Sequence, residues 1–370
     1  MEKMQIFAVN RLPNILSPGT RNRRIDLVRG FALLAVFIDH IPENSLYPLT
    51  LQSNALSDAA DIFIFLAGYS AWIAYSPTFD QVNMWAGFRR VLDRCGELYI
   101  MQVVMLLICF LIAYTWSQFT ILKSSLILQV GDAGLARILI LYAQPTYFDI
   151  LPLYVLMLMV FPFVWAGLRW QPLTTLLISA GIWLLVNFNP DLNMPEWIGR
   201  RGWAFNPFEW QFLFTIGAAA AAANTSGKQS LQCSSLITAT CWIFLGEAWF
   251  FIYYYAWHAS GTPASHFVGS DHVFSHLLRL LSGLAIIYLV LTSERFARLV
   301  ESGWFLAIEV CGRHSLAVFG LSTVLSMVGR FAFRTFGSGM LPQAVVNGVG
   351  IVMLLAAAEL LDRRRQRCVF

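Results

Sequence analysis

The sequence predicts an all-α polytopic membrane protein with about ten transmembrane helices around a central cavity, and three observations support this fold class. Of the 370 residues, 58% are hydrophobic and only 12% are charged, and the mean hydropathy is +0.62. About a quarter of a typical soluble domain is charged. Apolar runs of about 20 residues recur along the chain, and short basic clusters flank them. This composition cannot cover a water-facing surface, so a soluble protein is excluded.

Ten apolar runs have roughly the length that a transmembrane helix requires. They cover residues 27–45, 59–76, 97–116, 148–167, 172–189, 209–224, 236–256, 276–293, 313–331 and 343–361. The segment 118–145 is ambiguous because charged residues and a glycine interrupt its apolar pieces. We expect this segment to be either re-entrant or interfacial.

The distribution of basic residues predicts that both termini are cytoplasmic. Under this arrangement most arginines and lysines between the runs fall on the inner side, as the positive-inside rule requires. The exceptions, which would lie outside, are Arg200, Arg201, Arg330 and Arg334. The chain then divides into a cytoplasmic amino-terminal segment (1–23), a transmembrane domain (24–361) and a basic cytoplasmic tail (362–370).

The charge and the cysteines exclude several other classes of protein. The net charge of +4 comes from the flanking clusters, so we expect membrane lipid rather than nucleic acid as a partner. The six cysteines contain no CxxC pair, which indicates neither a metal site nor a disulfide framework. His272 and His276 have helical spacing but no HExxH motif surrounds them, so no metal is predicted.

The first apolar run places costly polar residues on one helix face. Arg29 and His40 are eleven residues apart, which is about three helical turns or roughly 16 Å along the axis. Residues 30–38 between them carry no polar side chain. Asp26 lies one turn before Arg29 and within about 40° of His40 around the helix, whereas Asp39 projects about 100° away and is expected to serve a different partner. Ionisable groups on an interior stripe usually line a pathway or a reaction chamber.

These positions suit a transfer reaction that spans the membrane. Arg29, paired with Asp26, could hold the phosphates of a cytoplasmic donor by charge-assisted hydrogen bonds. Arg313 and His314, in GRHSLAVFG, could contact the same donor or form an interfacial pair. His40 lies deeper, and its neutral imidazole could take a proton from an attacking hydroxyl. The alternative is that Asp26 and Arg29 form a topology-setting ion pair and that His40 only caps the run.

The second apolar run opens with two carboxylates. In SDAADIFIFLAGYS, the residues Ser57, Asp58 and Asp61 can share one helix face. One interpretation is that Asp58 or Asp61 supports His40 in catalysis or binds the acceptor. The other is that carboxylates at a helix amino terminus are simply favoured by the helix dipole. Gly68, next to Tyr69, predicts close packing against another helix.

Two later segments add candidate substrate-binding residues. Asp149 and Tyr154 open one apolar run, in YFDILPLYVL, and Glu209 and Trp210 open another, in NPFEWQFLFTIG. Aromatic rings beside carboxylates suit a sugar, because a pyranose has an apolar face and a rim of hydroxyls. Aromatic residues also form interfacial belts in membrane proteins that bind no sugar, so this second interpretation stays open.

Four blocks of the sequence together resemble the OpgC family of membrane proteins. The blocks are RIDLVRGFALLAVFIDHIPENSLYPLTLQSNALSDAADIFIFLAGYS, YFDILPLYVLML, NPFEWQFLFTIG and GRHSLAVFG. The resemblance extends from about Arg24 to Leu361. It implies a bacterial inner-membrane protein that succinylates osmoregulated periplasmic β-glucans.

The resemblance also implies roles for individual residues. OpgC proteins are similar to the wider acyltransferase-3 group of membrane acyltransferases, which share an arginine, ten intervening residues and a histidine. In this chain the pattern falls on Arg29 and His40. The resemblance implies that His40 is catalytic and that Arg29 positions the acyl-CoA. It implies about ten helices and succinyl-CoA as co-substrate, and we expect no tightly bound cofactor. The acyl group is expected to be succinyl, with acetyl as the alternative.

Three classes of function therefore remain from the sequence. The leading hypothesis is a transmembrane O-acyltransferase in which His40 either deprotonates the glucan hydroxyl or carries the acyl group transiently. A transporter or flippase for a sugar or a lipid-linked glycan is the alternative, since intramembrane Asp, Arg and His also suit a proton relay. A membrane scaffold explains the hydrophobicity but not the shared face of Asp26, Arg29 and His40. The oligomeric state is not indicated.

Overall fold

The computed structural model describes residues 22–115, 139, 147–195, 202–225, 234–258 and 273–367, and the described part is helical, with no strand. The predicted segment 118–145, apart from Leu139, lies outside the described residues. The described α-helices, in chain order, are α1 (Arg23–Asp39), α2 (Leu51–Asn54), α3 (Ala59–Gln81), α4 (Met84–Thr115), α5 (Ile150–Trp170), α6 (Pro172–Phe188), α7 (Pro207–Thr225), α8 (Ser235–His258), α9 (Val273–Thr292), α10 (Glu294–Glu301), α11 (Leu306–Arg313), α12 (Ser315–Phe336) and α13 (Met340–Arg367).

Six of the described helices, α3, α4, α5, α8, α12 and α13, are long and apolar enough to cross a membrane. The pair α9 and α10 forms a seventh span if it is counted as one, although it is bent by 62°. The class of helical multi-pass membrane protein is thus confirmed, but the predicted count of ten spans is not. Helices α1 and α6 contain only 17 residues each, short of the roughly 20 residues that a simple crossing needs.

Helix α1 ends earlier than the predicted run 27–45. Asn22 caps its amino terminus by accepting a hydrogen bond from the backbone of Arg24 at 2.9 Å. The helix stops at Asp39, with His40 as its carboxy-terminal cap. Pro42 explains this end, because a residue that precedes proline is driven out of helical backbone geometry. His40 therefore lies at the start of a turn rather than inside a continuous helix.

The core of the bundle forms around α1 and α3. Helix α1 packs against α3, α11 and α12, whereas α3 makes its most extensive contacts with α7 and also meets α4 and α5. Helix α8 lies at the periphery and packs on α9, and most of its described side chains are exposed. This arrangement brings the polar residues of α1 against those of distant segments.

Glycines allow two helix pairs to approach closely, as predicted at Gly68. A Cβ on Gly68 would overlap the Phe214 carbonyl group of α7, and a Cβ on Gly217 would overlap the Phe65 carbonyl group of α3. Small residues at helix interfaces bring backbones together in membranes, where van der Waals packing drives association. Gly30 of α1 makes an equivalent approach to the carbonyl group of Ile308 in α11.

We expect Gly68→Ala to lower the thermal unfolding midpoint of the detergent-solubilised protein. The added methyl group meets backbone rather than a flexible side chain, so α3 and α7 must separate, and overpacking of this kind costs about 1–3 kcal/mol or more. Gly181→Ala in α6 is the matched control, because a Cβ there meets no atom within 4 Å. Equal midpoints for the two variants would contradict the proposed close packing.

The turn after α1 is held to the last helix by buried amides. The side chains of Asn44 and Asn347 form a reciprocal pair, with Nδ2 to Oδ1 distances of 2.8 and 3.0 Å. The amide of Gln343 donates to the backbone carbonyl of Glu43 at 2.6 Å. These bonds satisfy polar groups that would otherwise be costly to bury, and they fix the segment that follows His40.

Candidate active site

His40 lines a cavity of about 350 Å³ at the carboxy-terminal end of α1. Its imidazole is half-buried, and its Nδ1 atom is fully buried with no hydrogen-bond partner in the described part of the chain. The accessible edge of the ring is therefore the edge away from Nδ1. A half-buried imidazole that faces a cavity is arranged to exchange a proton with a bound molecule.

Tyr147 and Arg330 hold His40 in place. The ring of Tyr147 contacts the His40 ring with 4.5 Å between centroids, and Tyr147 has a positive φ of 77°, which is uncommon for an aromatic residue. The guanidinium of Arg330 lies 3.6 Å from the centroid of the Tyr147 ring, and its Nε donates to the backbone carbonyl of His40. Arg330 was one of the few arginines predicted to lie on the outer side of the membrane. These contacts explain why an arginine is present there.

Three carboxylates share the cavity with His40. Asp39, Asp58 and Asp149 all line it, together with Gln52. Asp39 was expected to serve a partner other than His40, and its side chain does share a hydrogen bond with Thr50, although it also lines the cavity. One oxygen of Asp39, Oδ1, is buried without a hydrogen-bond partner among the described residues. The cavity thus offers both a proton acceptor and hydrogen-bond acceptors for hydroxyl groups.

Asp58 and Asp61 begin α3 as a capping box. Asp58 Oδ1 accepts a hydrogen bond from the backbone of Ala60 at 2.8 Å, and Asp61 Oδ2 accepts one from the backbone of Asp58 at 2.9 Å. The helix-terminus interpretation is thus correct for both residues. Asp58 additionally lines the His40 cavity. Asp61 is not among the residues that line this cavity, so its predicted catalytic support of His40 could act only through Asp58.

A half-buried arginine that was not among the predicted site residues pairs with both carboxylates. Arg279 Nε lies 3.2 and 3.1 Å from the two carboxylate oxygens of Asp61, and Nη2 lies 3.0 Å from Asp58 Oδ2. The guanidinium also lies 4.9 Å from the centroid of a Trp210 ring. Three residues before it, His276 Nδ1 lies 2.6 Å from Glu209 Oε1. Glu209 and Trp210, predicted to bind substrate, thus belong to this ionic network.

The sequence does contain one indication that Arg279 has a polar partner, namely its position inside an apolar run. An arginine within a membrane helix rarely lacks a partner, and His276 precedes it by one turn of the same helix. His276 was considered above only as a metal ligand, whereas an arginine and a histidine one turn apart also predict nearby carboxylates.

Arg29 lines a second cavity, of about 240 Å³. Its guanidinium donates to the backbone carbonyl of Leu66 at 3.2 Å and to the hydroxyl of Ser70, and it lies 4.0 Å from Asp26. The same cavity is lined by Arg94 and Tyr154. Tyr154 was grouped with Asp149 as a substrate-binding residue, but the structure places these two residues in different cavities. The spacing of five residues along α5 separates them by more than one turn.

The two cavities are divided by an apolar partition. Phe63, Ile150 and Phe319 line both cavities, so these three side chains stand between the Arg29 cavity and the His40 cavity. Among the described residues, Arg29 and His40 therefore line two neighbouring cavities rather than one continuous wall. Hydrophobic periodicity identifies the face of a helix that turns inward, but it does not reveal which distant side chains fill the space there.

Arg313 and His314 lie in an ionic cluster at the amino-terminal end of α1. The carboxylate of Glu309 accepts hydrogen bonds from Arg23 Nε at 3.0 Å and from Arg313 Nη2 at 2.6 Å, and His314 Nε2 lies 3.1 Å from Asp362 Oδ1. Burial acts to raise the pKa of Glu309, but the hydrogen bonds from the two arginines hold it below its usual value.

This ionic cluster borders a third cavity, of about 380 Å³, which Asp26, Arg313 and Arg365 also line. Arg313 and His314 do not line the Arg29 cavity. Their predicted contact with a donor remains a prediction, since the structure shows them in ion pairs with Glu309 and Asp362.

The helical spans and the polar cavities inside the bundle define a polytopic membrane protein with ionisable groups gathered in its interior. The chain belongs to the OpgC family: the family model described as OpgC protein matches residues 21–366, which is nearly the whole chain. Membership in this family indicates an acyltransferase that modifies a glucan. No curated protein and no solved structure matches the chain.

Proposed function

We propose that the protein is a transmembrane O-succinyltransferase, which moves a succinyl group from cytoplasmic succinyl-CoA to hydroxyls of a periplasmic β-glucan. It would lie in the bacterial inner membrane with both termini in the cytoplasm. The observation that carries this proposal is the pair of cavities on either side of the apolar partition. One contains the half-buried imidazole of His40 beside three carboxylates, and the other contains Arg29 and Arg94.

The chemistry begins with the glucan hydroxyl in the His40 cavity. Carboxylates such as Asp39 and Asp149 accept hydrogen bonds from sugar hydroxyls, and Tyr147 and Phe205 offer apolar surface to the ring. His40 takes the proton of the attacking hydroxyl as that oxygen bonds to the thioester carbonyl carbon. The tetrahedral intermediate then breaks its carbon–sulfur bond. The departing thiolate takes the proton from the imidazolium, which gives CoA and an O-acylated glucan.

The donor would occupy the Arg29 cavity. Two guanidinium groups, those of Arg29 and Arg94, line it, and arginine is well suited to phosphate oxygens. The acyl end must then travel roughly 16 Å, which is the length of the helix between Arg29 and His40. The partition formed by Phe63, Ile150 and Phe319 has to open for this to happen. The closed partition would keep water away from the thioester until both substrates are bound.

Proteoliposomes test this function directly. Succinyl-CoA with labelled succinyl would be supplied on the cytoplasmic face and linear β-glucan on the other face. We expect label in the glucan, attached through base-labile esters. Movement of unmodified glucan across the membrane, without any ester, would instead identify a carrier and would overturn the proposal.

Arg29→Gln is expected to raise the apparent KM for succinyl-CoA by about 10–100-fold. The loss of one hydrogen bond to a charged group costs about 1.5–3 kcal/mol, and the KM for glucan should change far less because the acceptor binds in the other cavity. Steady-state kinetics with each substrate varied in turn would measure this. Arg89→Gln is the control, because Arg89 is exposed at the start of α4. An unchanged KM for the donor would contradict phosphate binding by Arg29.

A further inference from the structure

Arg330 is a half-buried cation that has no carboxylate partner in the described structure. Among the described residues, its contacts are the hydrogen bond from Nε to the His40 carbonyl and the stacking on Tyr147. No described group accepts a hydrogen bond from its two terminal nitrogens. Arg279, which is also half-buried, meets two carboxylates. The two guanidinium groups thus have opposite electrostatic surroundings.

A cation without a carboxylate partner among the described residues needs a physical reason. Ionisable groups inside membrane proteins are usually paired, because the cost of removing an unpaired charge from water is several kcal/mol. An apolar side chain could support the Tyr147 ring equally well, so packing alone does not explain an arginine at position 330. An anion that is present only when substrate is bound would provide the missing partner.

The position of Arg330 restricts which anion this can be. It contacts both His40 and Tyr147, and these two residues line the cavity where the acyl group would meet the acceptor. The carboxylates of the same cavity, Asp39, Asp58 and Asp149, repel any second anion that lacks a cation beside it. Arg330 is not itself among the residues that line the cavity, but it adjoins the cavity through Tyr147 and the His40 backbone. The site therefore favours a small anion that is attached to the acyl group itself and reaches the guanidinium beside Tyr147.

We propose that Arg330 binds the free carboxylate of a dicarboxylic acyl group and so selects succinyl over acetyl donors. This inference rests on the proposed acyltransferase function. The carbonyl carbon and the carboxylate carbon of a succinyl group are about 4 Å apart by standard bond lengths. A thioester carbonyl beside the His40 ring can therefore extend its carboxylate toward the guanidinium that contacts the His40 backbone. The two terminal nitrogens offer the planar fork that carboxylates bind.

The test compares two donors in the same variant. Transfer to glucan from succinyl-CoA and from acetyl-CoA would be measured for the wild type, Arg330→Gln, Arg330→Lys and Arg334→Gln. We expect the ratio of kcat/KM for succinyl-CoA to that for acetyl-CoA to fall at least tenfold in Arg330→Gln. It should fall less in Arg330→Lys, which keeps the charge but loses the fork. Arg334→Gln, one turn further along α12 and exposed, should keep the wild-type ratio.

An equal loss of activity with both donors would overturn the proposal, because it would show that Arg330 serves the reaction centre or the fold rather than the acyl carboxylate. If Arg330→Gln does not fold, Arg330→Lys carries the test, and an unchanged donor ratio there overturns the proposal. Stabilisation of the detergent-solubilised protein by succinyl-CoA beyond that by acetyl-CoA gives a second readout without turnover, and it should disappear in Arg330→Gln. A wild type that acylates glucan from neither donor would overturn the proposed function instead.

Discussion

Replacement of His40 by alanine is expected to lower acyl transfer to glucan by about 10²–10⁴-fold, the range that a positioned general base contributes. Among the described residues, His40 is the one imidazole that lines the cavity containing Asp39, Asp58 and Asp149. The proteoliposome assay with labelled succinyl-CoA would measure this loss. The KM for the CoA donor should change little, because Arg29 and Arg94 lie in the other cavity.

The control for this variant is a measurement of thermal unfolding, which should show that the protein still folds. The contact of Arg330 with His40 uses the backbone carbonyl, so it survives the loss of the side chain, and the thermal unfolding midpoint should stay near that of the wild type. His40→Gln, which keeps much of the volume, should be as inactive as His40→Ala. Transfer at the wild-type rate in either variant would remove His40 from the mechanism.

The same assay separates direct transfer from an acyl-histidine intermediate. With succinyl-CoA and no glucan, an acyl-enzyme mechanism predicts a rapid release of one equivalent of CoA per protein. Direct attack by the glucan hydroxyl predicts no such release. Under both mechanisms, His40→Ala should no longer release CoA when glucan is present.

Arg279→Gln is expected to destabilise the protein by about 3–5 kcal/mol, the cost of removing one partner from a buried ion pair. The side chain of Asp61 is only 5% exposed, so without Arg279 its charge has no nearby cation among the described residues. The loss should appear as a lower unfolding midpoint in detergent. Acyl transfer should fall as well, because Asp58 lines the His40 cavity and would lose its orientation.

Two further variants distinguish the loss of a counter-ion from a general packing defect. Arg279→Lys keeps the charge, so it should recover part of the stability although it cannot bind Asp58 and Asp61 as a fork. The triple change of Asp58→Asn, Asp61→Asn and Arg279→Gln removes all three charges and should be more stable than Arg279→Gln alone. If the triple variant is less stable than the single one, the network is not the electrostatic unit described above.

The local parts of the fold could be predicted from the sequence. Gly68 was expected at a close helix contact and lies against the backbone of Phe214, and Asp58 was recognised as a residue at a helix amino terminus. The count of ten spans was not confirmed because apolar length alone does not show where a helix stops. In the first run, Pro42 ends the helix at Asp39, six residues before the predicted end.

The site was predicted only in part. His40, Asp58 and Asp149 do meet in one cavity, but Tyr154 lines another, and Glu209 and Trp210 belong to the network of Arg279 and His276. Arg279 was missed although its position in an apolar run was visible. Arg330 was noticed only as an exception to the charge distribution, and its stacking on Tyr147 could not be inferred from either residue.

The sequence by itself determined that the chain is a helical membrane protein of the OpgC type with a polar stripe on its first helix, because composition, hydrophobic runs and local motifs are properties of neighbouring residues. Only the tertiary structure decided which charges are paired and where the interior is closed. Asp61 and Arg279 are 218 residues apart, and Phe63, Ile150 and Phe319 close the passage from three different helices. No local pattern encodes contacts over such separations, because they depend on how whole helices pack against one another.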